Sequence, residues 1–89
     1  MNLYLIKQNF NNDYDTHNSA VVIASSEEEA KTIHPESFRW ENGEWSAGFA
    51  AYGSDVSSWC VPEHVTASLI GTAATGKIGD IIISSFNAG

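Results

Sequence analysis

The sequence predicts an α+β domain with one mostly antiparallel sheet of four to five strands, a single short helix packed on one face, and an aromatic hairpin inserted after the helix. Three observations carry that prediction. Short apolar runs recur along the chain, Leu3-Tyr4-Leu5-Ile6 and the β-branched Val21-Val22-Ile23 and Ile81-Ile82-Ile83. One segment, Ser25-Ser26-Glu27-Glu28-Glu29-Ala30-Lys31-Thr32-Ile33-His34-Pro35, carries a helix start and a helix stop. Between the helix and the last strands, Asn42-Gly43 is flanked symmetrically by Glu41 and Glu44, then by Trp40 and Trp45.

Leu3 to Ile6 reads as the first strand and Ser19 to Ala24 as the second. The polar stretch from Gln8 to Asn18 between them is rich in Asn and Asp, which favour turns, so the economical arrangement is an antiparallel pair. Ser25 or Ser26 can cap the helix, with Glu28 or Glu29 as the reciprocal carboxylate, and three glutamates stand where the helix dipole favours negative charge. Pro35 is expected to end the helix after little more than two turns, with Ala30 and Ile33 inward and His34 on the same side.

The aromatic half follows, with Phe38, Trp40, Trp45, Phe49, Tyr52 and Trp59 separated by Gly, Ser and Glu. A type I′ turn at Asn42-Gly43 sets Glu41 opposite Glu44 and Trp40 opposite Trp45, where indole is expected to stack on indole. Val56 to Val61 reads as a short strand cut by Pro62, and Val65 to Ile70 as a better one ending at Gly71. The last strand spans Asp80 to Phe86, and its continuous Ile81-Ile82-Ile83 run predicts burial on both faces at the centre of the sheet.

At 89 residues the chain has room for one domain, residues 1–89, with one modest core. Eleven acids against Lys7, Lys31, Arg39 and Lys77 give a net charge of −7, which disfavours direct nucleic-acid binding and favours basic partners. The single cysteine, Cys60, excludes an internal disulfide and a cysteine-based zinc cluster, and fits a reducing compartment. The N-terminal apolar run of about four residues is far short of a membrane span or a signal-peptide core, so the expectation is a cytoplasmic protein with no membrane contact.

No motif specifies a reaction, and the expectation is a non-enzyme without cofactor or metal. Gly71-Thr72-Ala73-Ala74-Thr75-Gly76-Lys77-Ile78 matches the first seven positions of a phosphate-binding loop, but it lacks the Ser or Thr after the lysine and a following helix, so it reads as a strand connection. Asp13, Asp15 and His17 alternate as chelating ligands would, but the calcium-loop pattern fails at Asn18 and Ala24, and a solvated turn is the simpler reading. Cys60 and His64 are separated by Pro62 and have no third group, so Cys60 reads as a small core residue. The aromatics remain, with the Trp40/Trp45 pair on a ribbon that has one open face.

Met1-Asn2-Leu3-Tyr4-Leu5-Ile6-Lys7-Gln8, Ala24-Ser25-Ser26-Glu27-Glu28-Glu29-Ala30 with Ile33-His34-Pro35, and the tail Ile83-Ser84-Ser85-Phe86-Asn87-Ala88-Gly89 resemble small phage- and prophage-borne proteins. The resemblance leaves out Arg39 to Ser58 and carries no catalytic residues. It implies a setting in which tiny acidic proteins block host defence. The function expected on that basis is an anti-CRISPR-like accessory protein that inhibits a host defence protein in the host cytoplasm, with Trp40, Trp45, Glu41, Glu44, Asp13 and Asp15 as the partner-binding residues. The alternative is an oligomeric sponge that sequesters a small nucleotide immune signal through aromatic stacking plus Arg39, Lys77 or loop amides. Self-association into a homo-oligomer belongs to that alternative.

Overall fold

In the computed structural model, which describes residues 1–11, 16–46 and 53–87, the chain is built on a four-stranded antiparallel sheet in the order β5-β1-β2-β6. The strands are β1 (Asn2–Gln8), β2 (Thr16–Ala24), β5 (Val65–Thr72) and β6 (Ile81–Asn87). A second, two-stranded sheet is the hairpin of β3 (Arg39–Glu41) and β4 (Glu44–Ser46). The α+β prediction therefore holds. Phe49, Tyr52, the tail end at Ala88 and Gly89, and the proposed contact residues Asp13 and Asp15 lie outside the described residues.

The two central strands show why one face of the sheet holds the core. In β1, Tyr4, Ile6 and Gln8 are buried in alternation with Leu5 and Lys7, and Tyr4 pairs with Val22 while Ile6 pairs with Ala20. Ala30 and Ile33 cover this face together with Trp59 and Cys60, and Val65 joins them from β5. On the opposite face, Ile23 is also buried, because the β5–β6 connection folds over it: Gly79 donates to Ile23 O at 2.7 Å and Ile23 donates to Asp80 O at 3.0 Å. The continuous run Val21-Val22-Ile23-Ala24 is thus the strand segment buried on both sides.

That placement corrects the expectation for the last strand. β6 is an edge strand, and Ile82 and Ile83 are 56% and 64% exposed, with Ile81 alone of the three packed against the core. Three consecutive isoleucines satisfy a central strand or an edge with an uncovered side equally well, and the connection over Ile23 decides between them.

The helix α1 (Glu27–Ala30) is a single turn, shorter than predicted. Ser26 is the cap, its hydroxyl accepting from the Glu29 amide at 3.1 Å. The Glu29 carboxylate reaches back one residue further than a standard capping box, accepting from the Ser25 amide at 2.7 Å and the Ser25 hydroxyl at 2.8 Å. The helix stops well before Pro35 because Ile33 bridges to Arg39, Trp40 donates to Thr32 O, and His34 donates to Phe38 O. Those bonds turn the chain out of the helix after Thr32 and put Ile33 in a β-bridge. Ala30, Ile33 and His34 are all fully buried as expected.

The segment Val56–Ser58 forms a 3₁₀ turn rather than the predicted strand. The Asp55 carboxylate accepts from the Ser57 amide at 2.9 Å and the Ser57 hydroxyl at 2.7 Å, a local bonding pattern that competes successfully with the β-propensity of Val56. Pro62 opens a second 3₁₀ turn, Pro62–His64, which feeds directly into β5.

Candidate functional site

The hairpin forms in the expected register, with Trp40 opposite Trp45 and Glu41 opposite Glu44. Asn42 and Gly43 supply positive φ values of 52° and 80°, as a type I′ turn requires. The indoles do not stack. Their centroids are 5.1 Å apart with planes at 77°, an edge-to-face contact that the ring quadrupoles favour over a sandwich. Both tryptophans are half-buried, and Trp45 packs on the core and meets the His34 ring edge-on at 5.3 Å. What the hairpin offers to solvent is its acidic tip, Glu41 and Glu44, both exposed.

A second arrangement was not legible as a unit in the sequence. His34 is completely buried, and its ring is ringed by Phe38, Trp45 and Trp59. Its Nε2 lies 2.9 Å from Val56 O, and its Nδ1 accepts from the Glu36 amide at 2.9 Å. A ring that accepts at Nδ1 and donates at Nε2 is the neutral tautomer. Burial correspondingly depresses its pKa below the ordinary 6.5, outweighing the Val56 carbonyl and nearby Glu36. Burial alone would raise Glu36, but hydrogen bonds from the Ser58 hydroxyl and the Asp55 amide, with His17 3.3 Å away, hold it below its ordinary range. Ser58 is fully buried and donates to the Glu36 carboxylate, so this cluster is a structural network that pins the 3₁₀ turn to the core.

Cys60 is buried in the core as expected, and burial pushes its thiol up to about 11, which keeps it protonated and unreactive. His64 is not partnered with it. The imidazole lies flat on Phe10, with centroids 3.8 Å apart and planes within 5°. Among the described residues no cluster of three or more His, Cys, Asp or Glu side chains could hold a metal ion.

The structure brings Arg39 and Lys77 together, as walls of one cleft of about 590 Å³ completed by Ser37, Asp80, Ile78 and Ile81. That volume suits a nucleotide-sized ligand. Two of the chain's four lysines and arginines therefore line one hollow of a molecule with net charge −7. Among the described residues, neither head group is in an ion pair, whereas Lys31 lies 3.8 Å from Glu27.

Each wall has a structural cause. Arg39 begins β3 and donates from Nη2 to Ile78 O at 2.8 Å, and its guanidinium occupies the space a side chain at Gly79 would need. Gly79 also has φ of +93°, so two independent constraints select glycine there. Gly76, at φ +108°, leaves room for Ile23 Cδ1, which a Cβ would approach to 2.6 Å. Ser37 carries φ of 70° in a non-glycine residue, held by its amide donating to His34 O at 2.8 Å.

The loop amides are largely committed. The Lys77 amide donates to Asp80 Oδ2 at 3.0 Å, that of Gly79 to Ile23 O and that of Asp80 to Lys77 O, so three of the amides along the cleft are already bonded within the protein. The reading of Gly71 to Gly79 as a strand connection stands, and recognition in the cleft falls to side chains. Neither Trp40 nor Trp45 lines it, and Ile78 and Ile81 supply aliphatic wall.

No family model matches the chain, and neither curated proteins nor solved structures give a match. Among the described residues no helix is long and apolar enough to cross a membrane.

Proposed function

We propose that this protein is a non-enzymatic binding protein that captures a small phosphate-bearing ligand, of the nucleotide-signal class, in the Arg39/Lys77 cleft. The observation that carries the reading is the convergence of Arg39 and Lys77, neither in an ion pair among the described residues, on one nucleotide-sized hollow of an otherwise acidic chain. Arg39 supplies a planar fork suited to two phosphate oxygens, and Lys77 supplies a point charge in the same cleft. Ile78 and Ile81 offer aliphatic surface to the ligand's uncharged part, and the Ser37 hydroxyl stands at the same wall. The resemblance to phage-borne proteins gives capture a purpose, since removing an immune signal needs binding without turnover.

The test is equilibrium dialysis against a panel of linear and cyclic nucleotides, followed by denaturation of the protein and analysis of the released ligand. Depletion of free ligand, its recovery unchanged, and loss of depletion in Arg39→Ala and Lys77→Ala support the reading. Absence of depletion across the panel, or appearance of a product, removes it.

The second reading is stoichiometric inhibition of a host defence protein through the hairpin. The exposed Glu41/Glu44 tip favours it, because two like charges held opposite each other on a rigid turn are a ready anchor for a basic partner surface. In that case Glu41→Lys with Glu44→Lys abolishes inhibition while leaving nucleotide depletion intact.

A further inference from the structure

The Arg39/Lys77 cleft also holds an acid. Asp80 is half-buried on its wall, and among the described residues it forms no ion pair with either cation. Its carboxylate is held in place. The backbone is bonded to β2 on both sides of the residue, the Gly79 amide donating to Ile23 O at 2.7 Å and the Ile23 amide to Asp80 O at 3.0 Å, while Asp80 Oδ2 accepts from the Lys77 amide at 3.0 Å. Gly76 backs the same oxygen, so closely that a Cβ there would stand 3.1 Å from it.

The turn accounts for one of the two oxygens. A single side-chain oxygen is enough to accept from the Lys77 amide, and an asparagine would supply it without charge. Among the described residues Oδ1 has no hydrogen-bond partner, so the fold uses neither the second oxygen nor the charge. A carboxylate only accepts, and one left half-buried without donors is costly, so a ligand seated here gains by presenting N–H groups to it. The same carboxylate repels any part of a ligand that is itself anionic.

From this placement we infer that Asp80 selects the base of the captured nucleotide and that the base is guanine. The inference rests on the cleft taking a phosphate-bearing ligand of the nucleotide class. Guanine carries two N–H donors side by side on one edge, the ring N–H and the exocyclic amine, and these meet the two oxygens of one carboxylate as a guanidinium does. Adenine and cytosine place a ring-nitrogen acceptor beside their amine, and uracil places a carbonyl on each side of its one N–H, so each of them sets lone pairs against the carboxylate. The division of the cleft follows from its charges. Arg39 and Lys77 take the phosphate, Asp80 takes the donor edge of the base, and Ile78 and Ile81 offer aliphatic surface to its ring.

Calorimetric titration of the full chain with the linear and cyclic monophosphates of guanosine, inosine, adenosine and uridine tests the assignment, on the wild type, Asp80→Asn and Arg39→Ala. The wild type is expected to bind the guanosine compounds about tenfold or more tightly than those of adenosine and uridine. Inosine, which keeps the ring N–H and lacks the exocyclic amine, should fall between them, and it reads the contact from the ligand side without altering the protein. Asp80→Asn retains an oxygen for the Lys77 amide, circular dichroism checks that its fold is kept, and its guanosine affinity is expected to come within about threefold of its adenosine affinity. Arg39→Ala should weaken every compound. Equal wild-type affinity for the four bases, or a guanosine preference undiminished in Asp80→Asn, overturns the inference and leaves phosphate capture standing. Absence of binding by every compound removes phosphate capture and the inference with it.

Discussion

Gly79 is the residue on which the cleft turns, because a side chain there would occupy the position of the Arg39 guanidinium and also demand a φ of +93°. Gly79→Ala is expected to cost about 1–3 kcal/mol of stability, measured by urea denaturation, and to weaken ligand capture by displacing Arg39. His34 sets a second expectation at this scale. Its folded pKa is lowered, so the unfolded chain takes up a proton first as the solution is acidified, and stability present above pH 6.5 is lost as pH falls below that value. Glu29 and Glu36 are also lowered, from 4.5, and extend the loss in the same direction at lower pH. Denaturation midpoints at neutral and mildly acidic pH should fall with acidification in the wild type. In a His34→Gln variant that folds, the slope between pH 7 and the carboxylate range should flatten, since an amide has no proton to gain in that range.

The elements differ in how far local sequence determined them. The turn and register of the hairpin were legible, since Asn42-Gly43 fixes the turn and the turn fixes the register, whereas the edge-to-face packing of the two indoles was not. The helix start was legible too, and Ser26→Ala should cost about 1 kcal/mol in thermal or chemical unfolding. The helix end was not, because backbone bonds to Phe38, Arg39 and Trp40, four to eight residues further on, overrule the pattern that points to Pro35. Likewise Asp55 turns Val56–Ser58 into a 3₁₀ segment, and the position of the isoleucine-rich β6 follows from a connection that packs over Ile23 in β2. The cleft was half-legible. Arg39 and Lys77 were each visible as rare cations, but they stand 38 positions apart, and only the fold brings them to one cleft. Within the hairpin, Trp45→Ala should destabilise more than Trp40→Ala, by about 1–2 kcal/mol, because Trp45 alone is packed on the core. Comparison of the two unfolding curves checks that ranking.

At the scale of the whole molecule, charge is the organising feature. Among the described residues the acids occupy the helix, the hairpin tip, the turns and the connections, while the main sheet is nearly uncharged and the cleft gathers two of the chain's four lysines and arginines. Under the proposed function the cleft takes a small anion, and in the second reading the acidic hairpin tip meets a basic partner. The measurement that tests the central claim most directly is calorimetric titration of the wild type, Arg39→Ala and Lys77→Ala with cyclic and linear nucleotides. The account predicts saturable binding of at least one phosphate-bearing ligand, loss of at least tenfold in affinity in each variant, and recovery of the ligand unaltered. Wild-type affinity in both variants, or conversion of the ligand to product, would contradict it.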